Sequence, residues 1–228
     1  MGHPMNVSPT ESTTAAEPTA SAHLRAATAT AHTRAERSAF QRALISGRLP
    51  LERYVAFLHA MRDIWQALEE VAPRVSTGAA RAMLLEPQRF RAHDIDRDLV
   101  HLRGLLPTAV SPENNAAANA FVARIHALAN ANPSALLGVL YVLEGSTNGG
   151  RYIARAMRRA YGLVDDQGVA FQDPYGDAQP ERWAEWKAAL DSMVSVGKVA
   201  ALVDVAVETF DAVAQIGDSV LRDAPPAI

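Results

Sequence analysis

No cysteine occurs in the chain. Disulfides, thiolate metal sites, iron–sulfur clusters and cysteine nucleophiles are therefore excluded, and the composition is compatible with a reducing compartment. Long apolar runs are missing as well, since no stretch approaches the roughly 18 consecutive apolar residues of a membrane span. Near the N-terminus no basic region precedes an apolar core, so no secretory signal is expected and the expected location is the cytoplasm. Positive charge is not in excess: 22 Lys and Arg stand against 25 Asp and Glu, a formal net charge of -3. Without a general basic surface, nucleic acid is not an expected partner, and any anionic ligand must be held by a local cluster. No segment alternates with period two between turn residues, no internal repeat is present, and no flavin or nucleotide motif occurs.

What remains is an ordinary globular balance, 49% hydrophobic and 21% charged, in a length that suits one large domain. Residues 1–21 are dominated by Ser, Thr, Ala, Pro and Glu with nothing periodic to bury, and they read as a disordered tail. His3 and His23 lie in or beside it. Residues 22–223 read as a single all-α, multi-helical domain, and 224–228 as a C-terminal tail. A first helix over 22–35 carries Leu24, Ala27, Ala31 and Ala35 as one face. Ser38 caps a short helix ended by Gly47, with Phe40 and Leu44 inward. Pro50 opens and Pro73 ends a long helix whose stripe Tyr54, Leu58, Met61, Trp65 and Leu68 steps by four and three, leaving His59 toward solvent. Further helices are expected over 77–86, 89–106 and 111–131, the last starting at Ser111-Pro112 with Phe121, Ile125 and Leu128 inward. Gly168, Pro174 and Gly176 mark a loop over 163–179. Pro180 opens a helix carrying Trp183, Trp186 and Leu190, and Gly197 separates it from a last helix over 198–221. Asp98 and His101, with His93 and Asp94 nearby, sit at a spacing that some di-iron helices use. Because no Glu-x-x-His occurs, they read as surface polar residues.

The chain is organised around LLGVLYVLEGSTNGGRYIARAMRRAY, with Pro133 placed to open it and Gly162 to close it. Gly145, Gly149 and Gly150 lie within this helix, each at a cost of roughly 1 kcal/mol relative to alanine. Such a cluster, with Ser146, Thr147 and Asn148 between, suits a bent helix or a wall of bare backbone for a flat ligand; the alternative is close packing of helices. Elsewhere, His32 and Glu36 are one helical turn apart. That spacing lets the carboxylate orient the imidazole and leave one ring nitrogen for a metal, and it equally describes a solvated pair on an exposed face.

Two segments together resemble a known family. LRAATATAHTRAERSAF from Leu24 to Phe40, followed by Gly47, Tyr54, Phe57, Leu58 and ALE at Ala67 to Glu69, resembles the proximal helix region of heme oxygenases. LYVLEGSTNGGR from Leu140 to Arg151 resembles their distal helix in its bacterial form. The match covers Leu24 to Gly162 and fades toward the C-terminus. The resemblance implies a helical fold that holds heme between a proximal helix and a kinked distal helix, with His32 as the iron ligand and Glu36 orienting it. It implies catalytic positions at Gly145, Ser146, Asn148, Gly149 and Gly150, and heme contacts from Arg25, Tyr141 and Lys187, with Arg25 and Lys187 taking the propionates. In such enzymes heme is both substrate and cofactor: dioxygen is activated at the iron and attacks the porphyrin's own meso carbon, giving biliverdin, iron and carbon monoxide. A largely neutral imidazole suits that task better than a strongly charge-donating axial ligand. Many heme oxygenases carry a distal aspartate where this chain has Ser146, so the resemblance leaves water to be held by backbone, Ser146, Asn148 or more distant polar residues. Electrons must come from a separate ferredoxin, flavodoxin or reductase. The alternatives are a heme-binding protein without turnover and a di-iron oxidase on the same fold; a thiaminase-like relative is disfavoured by the missing cysteine.

Overall fold

Local signals set the helix ends. Thr19 caps α1 (Ala20–Glu36) by accepting from the Ala22 N–H, and Ser38 caps α2 (Ala39–Ile45) through the Gln41 N–H. Pro50 precedes α3 (Leu51–Val71), and Pro180 lies in the first turn of α8 (Gln179–Met193), where its missing N–H costs nothing. Between them run α4 (Gly78–Leu84), α5 (Ala92–Arg103), α6 (Ala116–Ala131) and α7 (Leu136–Tyr161), and α9 (Ala200–Arg222) follows. Gly162 ends α7 in the left-handed region at φ 67°, its N–H on the Arg158 carbonyl. This computed structural model describes residues 18–75, 78–107 and 114–222. The described residues contain no strand, and the fold is the all-α, single-domain class expected.

Most expected boundaries agree to within a few residues. The first helix begins two residues earlier than expected, so Ala20 and Ser21 belong to it and not to a tail. The tails at 1–17 and 223–228, Thr77, and the Ser111-Pro112 start lie outside the described residues. The described cap of α6 is Asn115, which accepts from the Ala118 N–H. Arg89 falls in a one-turn 3-10 helix at Pro87–Arg89, ahead of α5.

The stripe Tyr54, Leu58, Met61, Trp65 and Leu68 is buried throughout, as are Phe40, Leu44, Phe121, Ile125 and Leu128. On α1 the buried face is Ala20, Ser21, Leu24, Thr28 and Ala31, whereas Ala27 is exposed. Thr28 tolerates burial because its hydroxyl donates to the Leu24 carbonyl at 2.7 Å. His59 is half-buried beside Arg103, its Nε2 2.6 Å from the guanidinium, and burial followed by that charge lowers its pKa.

Three helices run in the same direction. Gly138 near the start of α7 meets Leu202, Val205 and Ala206 near the start of α9. Ala156 and Ala160 near the end of α7 meet Gly47, which follows α2, and Phe40 of α2 packs on Gly217 near the end of α9. On α1, His32 and Arg34 meet Phe210 and Asp211 midway along α9, and the chain then turns into α2 at the α9 end. Consequently α1 and α7 are parallel, with α9 packed against both. Antiparallel α6 is fixed to α9 by Arg124–Glu208 at 2.9 Å and Asn115–Ser219 at 2.8 Å.

Candidate functional site

α1 is pinned at its start from another helix. Asp191 of α8 accepts the Ser21 N–H at 2.7 Å and the Ser21 hydroxyl at 2.8 Å, a carboxylate on the positive end of the α1 dipole. Three turns on, His32 is exposed, its Nδ1 3.5 Å from Glu36 Oε2. The ring stands edge-on to Phe210 of α9, centroids 5.4 Å apart. With Nδ1 turned to the carboxylate, Nε2 is the atom left for a ligand. The two side chains paired by their sequence spacing thus lie side by side on an exposed turn of α1.

On α7 the three glycines have three different surroundings. A Cβ at Gly149 would have no atom within 4 Å, so this backbone faces open space. A Cβ at Gly145 would lie 3.4 Å from the Trp183 ring, ordinary van der Waals contact with a side chain from α8. Gly150 departs from expectation: it is buried, and a Cβ there would fall 1.8 Å from the Gln172 carbonyl oxygen. Its missing side chain admits the 163–178 loop against the helix, so Gly150 is a packing glycine and not part of a ligand wall.

Helix α7 is nevertheless one uninterrupted run of 26 residues. Three successive side chains bond back three residues: Ser146 Oγ to the Leu143 carbonyl at 2.6 Å, Thr147 Oγ1 to Glu144 at 2.6 Å, and Asn148 Nδ2 to Gly145 at 2.8 Å. Bonds of this kind compete with the main-chain ladder and bend helices. They also commit the Ser146 proton, which leaves that hydroxyl its acceptor lone pairs. Ser146, Asn148 and Gly149 are exposed, as is Tyr152 at the next turn of the same side.

The two helices touch at Tyr141 and Thr28. Burial raises the Tyr141 phenol above its ordinary value, opposed by the adjacent Thr28 hydroxyl and then by the Arg25 guanidinium. Tyr141 lies 5.8 Å from Trp183 and 6.0 Å from Trp186, which stack on each other at 5.2 Å, and Lys187 Nζ is 5.9 Å above the Trp183 ring. Of the expected cofactor contacts, Tyr141 thus belongs to this aromatic cluster, Lys187 lies over its Trp183 ring, and Arg25 acts on Tyr141 by its charge. One turn beyond Thr28 stands His32, and one turn beyond Tyr141 stands Gly145. The helices are parallel, so these residues stand at the same level along α1 and α7.

Sequence reasoning missed two buried polar groups. Glu144, 1% exposed, takes Arg89 Nη1 at 2.7 Å and the Tyr175 hydroxyl, with Arg91 Nη2 3.9 Å away. Arg91 also lies 4.7 Å over the Tyr175 ring and 6.0 Å over Trp65, and its N–H and that of Ala92 donate to Glu69. Burial, followed by the Glu144 charge, pushes Tyr175 up to about 12. The available signal was a lone carboxylate in an otherwise apolar run. Asp98, expected at the surface, is also 1% exposed and accepts the Ala170 and Phe171 N–H groups at 3.1 and 2.9 Å. Desolvation outweighs those bonds and raises it to about 6. It is a loop clamp, and His101 does not join it as a ligand: among the described residues no group of three or more His, Asp and Glu could hold a metal. No helix among them is long and apolar enough to cross a membrane.

A family model described as Heme oxygenase matches residues 18–217. No curated protein sequence matches the chain. Among solved structures, heme oxygenase from Leptospira interrogans is similar at 23% identity and a TM-score of 0.79, over 88% of this chain and 99% of that one. Heme oxygenase-1 from the cyanobacterium Synechocystis, in complex with heme, is similar at 18% identity and a TM-score of 0.77, over 90% and 95%. A domain of unknown function with this fold from Shewanella denitrificans is similar at 13% identity and a TM-score of 0.65, over 87% and 90%.

Proposed function

The chain belongs to the heme oxygenase family, and from that membership we propose that it opens heme to biliverdin, ferrous iron and carbon monoxide in the cytoplasm, using dioxygen and external electrons. The observation that carries the reading is an exposed imidazole beside a carboxylate on α1, together with an exposed glycine backbone facing open space on parallel α7. The residues present fit heme. His32 Nε2 is the ligand atom, and the open space at Gly149 suits a flat ring against bare backbone. Arg25, whose charge acts on Tyr141, and Lys187, beside the Trp183 ring, are cations for the two propionates. When bound, heme supplies the iron that activates dioxygen and the ring carbon that is lost.

The chain's own residues perform the rest. Glu36 holds the His32 ring in one orientation without forming a strongly donating ligand. Gly149 leaves space for dioxygen beside the ring, with Gly145 one turn earlier under the Trp183 ring, and the Ser146 and Asn148 acceptors hold water where protons are needed. Electrons come from a ferredoxin, flavodoxin or reductase, because the sequence has no flavin or nucleotide motif. A second reading, heme binding without turnover, is favoured by one observation: the Ser146 proton is committed to the Leu143 carbonyl, and no carboxylate stands at that position. A di-iron oxidase lacks a ligand set among the described residues.

Titration with hemin tests the site. The expected product is an imidazole-ligated spectrum at one heme per chain, lost in His32→Ala and restored by added imidazole. An unchanged spectrum in His32→Ala would assign the iron to another ligand.

A further inference from the structure

Four glycines lie on α7, and packing within the fold accounts for two of them. A Cβ at Gly138 would fall 2.5 Å from the Leu202 carbonyl oxygen, and one at Gly150 would fall 1.8 Å from that of Gln172, so main chain from elsewhere takes the place of both side chains. Gly149 faces open space. At Gly145 the nearest atoms belong to the far end of the Trp183 indole: a Cβ there would lie 3.4, 3.7 and 3.9 Å from Cη2, Cζ2 and Cζ3. Those are ordinary contact distances, so an alanine would fit beneath Trp183 and make a better helix. A glycine kept at such a position points to an occupant that comes closer to the main chain than Trp183 does.

We propose that Trp183 is a gate on the ligand site: in the ligand-free chain its indole covers the Gly145 main chain, and it turns outward when the flat ligand takes that place. The gate rests on the heme reading, which supplies the ligand's identity. Trp183 has room to turn, because it is half-buried, whereas Trp186, on which it stacks at 5.2 Å and 14°, is 0% exposed and stays as the fixed member of the pair. Tyr141 flanks the indole at 5.8 Å, and Lys187, one turn along α8, holds its Nζ 5.9 Å from the ring. Side-chain rotamers exchange faster than a ligand arrives, so open and closed forms stand in rapid equilibrium. The apparent affinity is then the intrinsic affinity scaled by the open fraction, and a gate shut about nine-tenths of the time lowers it about tenfold. Removing the indole therefore speeds entry and tightens binding, the reverse of what the loss of a ligand contact does.

Trp183→Leu keeps an apolar side chain against Trp186 and lacks the ring atoms over Gly145. Stopped-flow mixing of the heme-free protein with monomeric ferrous heme carrying carbon monoxide measures entry, and transfer of bound heme to excess apomyoglobin measures release. Entry about tenfold faster than in wild type is expected, with the release rate unchanged. Entry at the wild-type rate, or faster release, which loss of a fixed wall touching the ligand gives, overturns the gate. Gly145→Ala tests the seat independently. Its heme-free Tm is expected to rise by about 2–4 °C, while hemin affinity falls about tenfold or more because the methyl group stands where the ligand lies. Wild-type affinity in that variant overturns the seat and the gate with it. A wild type that takes up no heme overturns the heme reading as well, whereas uptake with wild-type kinetics in Trp183→Leu overturns the gate alone.

Discussion

A methyl group at position 150 would put its carbon 1.8 Å from the Gln172 carbonyl oxygen and 2.9 Å from the carbonyl carbon. Both are main-chain atoms that no rotamer change can move aside. A carbon–oxygen contact needs about 3.3 Å, so in Gly150→Ala the loop has to retreat by roughly 1.5 Å. That loop is held from behind by the Asp98 bonds to Ala170 and Phe171. Overpacking costs about 1–3 kcal/mol, and a main-chain clash against a tethered loop belongs at the upper end. Alanine's better helix propensity returns about 1 kcal/mol, leaving Gly150→Ala less stable by about 2 kcal/mol, or about 4–8 °C in a chain of this size. Gly149→Ala meets nothing within 4 Å. It keeps only the propensity gain, about 1 kcal/mol and about 2–4 °C upward. Thermal and urea melts of the heme-free proteins, followed by circular dichroism, measure both. A Gly150→Ala protein as stable as wild type, or two variants shifting in the same direction, would refute the packing argument.

Asp191→Ala removes both Ser21 bonds from α8 to the α1 start, and a loss of about 2 kcal/mol is expected in urea unfolding, with hemin affinity falling as α1 frays. Asp98 titrates at about 6 in the fold against 3.8 for a free carboxyl, so its ionised form is disfavoured by folding. That penalty is complete above the folded value and fades as pH falls toward the free one, so wild type should gain on the order of 1 kcal/mol relative to Asp98→Asn between pH 7 and pH 5. Urea midpoints of both proteins at the two pH values measure the difference, and a constant gap would place Asp98's titration elsewhere. Gly149→Leu fills the open space over the glycine stripe; weaker hemin binding or blocked dioxygen is expected, with helix content unchanged. Normal affinity and normal turnover in that variant would leave Gly149 no part in the site.

The helices were legible because their punctuation is local: Ser38, Pro50, Pro180 and Gly162 act on their immediate neighbours. The pairing of His32 with Glu36 was legible for the same reason, since a helical turn fixes it. The α1 face was misplaced at Ala27 because alanine gives little contrast between buried and exposed positions, and a threonine that bonds its own helix does not look apolar. From sequence the glycine cluster is treated as one unit, as bend, ligand wall or helix packing, but each neighbour is a tertiary fact: Trp183 over Gly145, open space at Gly149, and the Gln172 main chain over Gly150. Glu144 could be noticed as a carboxylate among apolar residues. Its partners Arg89, Arg91 and Tyr175 come from two other parts of the chain, and only folding brings them together.

Ring opening is measured most directly by carbon monoxide and biliverdin released together. Purified protein loaded with hemin is supplied with a ferredoxin or reductase system in air, with catalase present so that free peroxide cannot degrade the ring. The expected result is loss of the Soret band with one biliverdin, one carbon monoxide and one ferrous iron for each heme consumed, abolished in His32→Ala. A long-lived dioxygen complex, or return to ferric heme without either product under every donor tried, would contradict the oxygenase reading and leave a heme-binding protein.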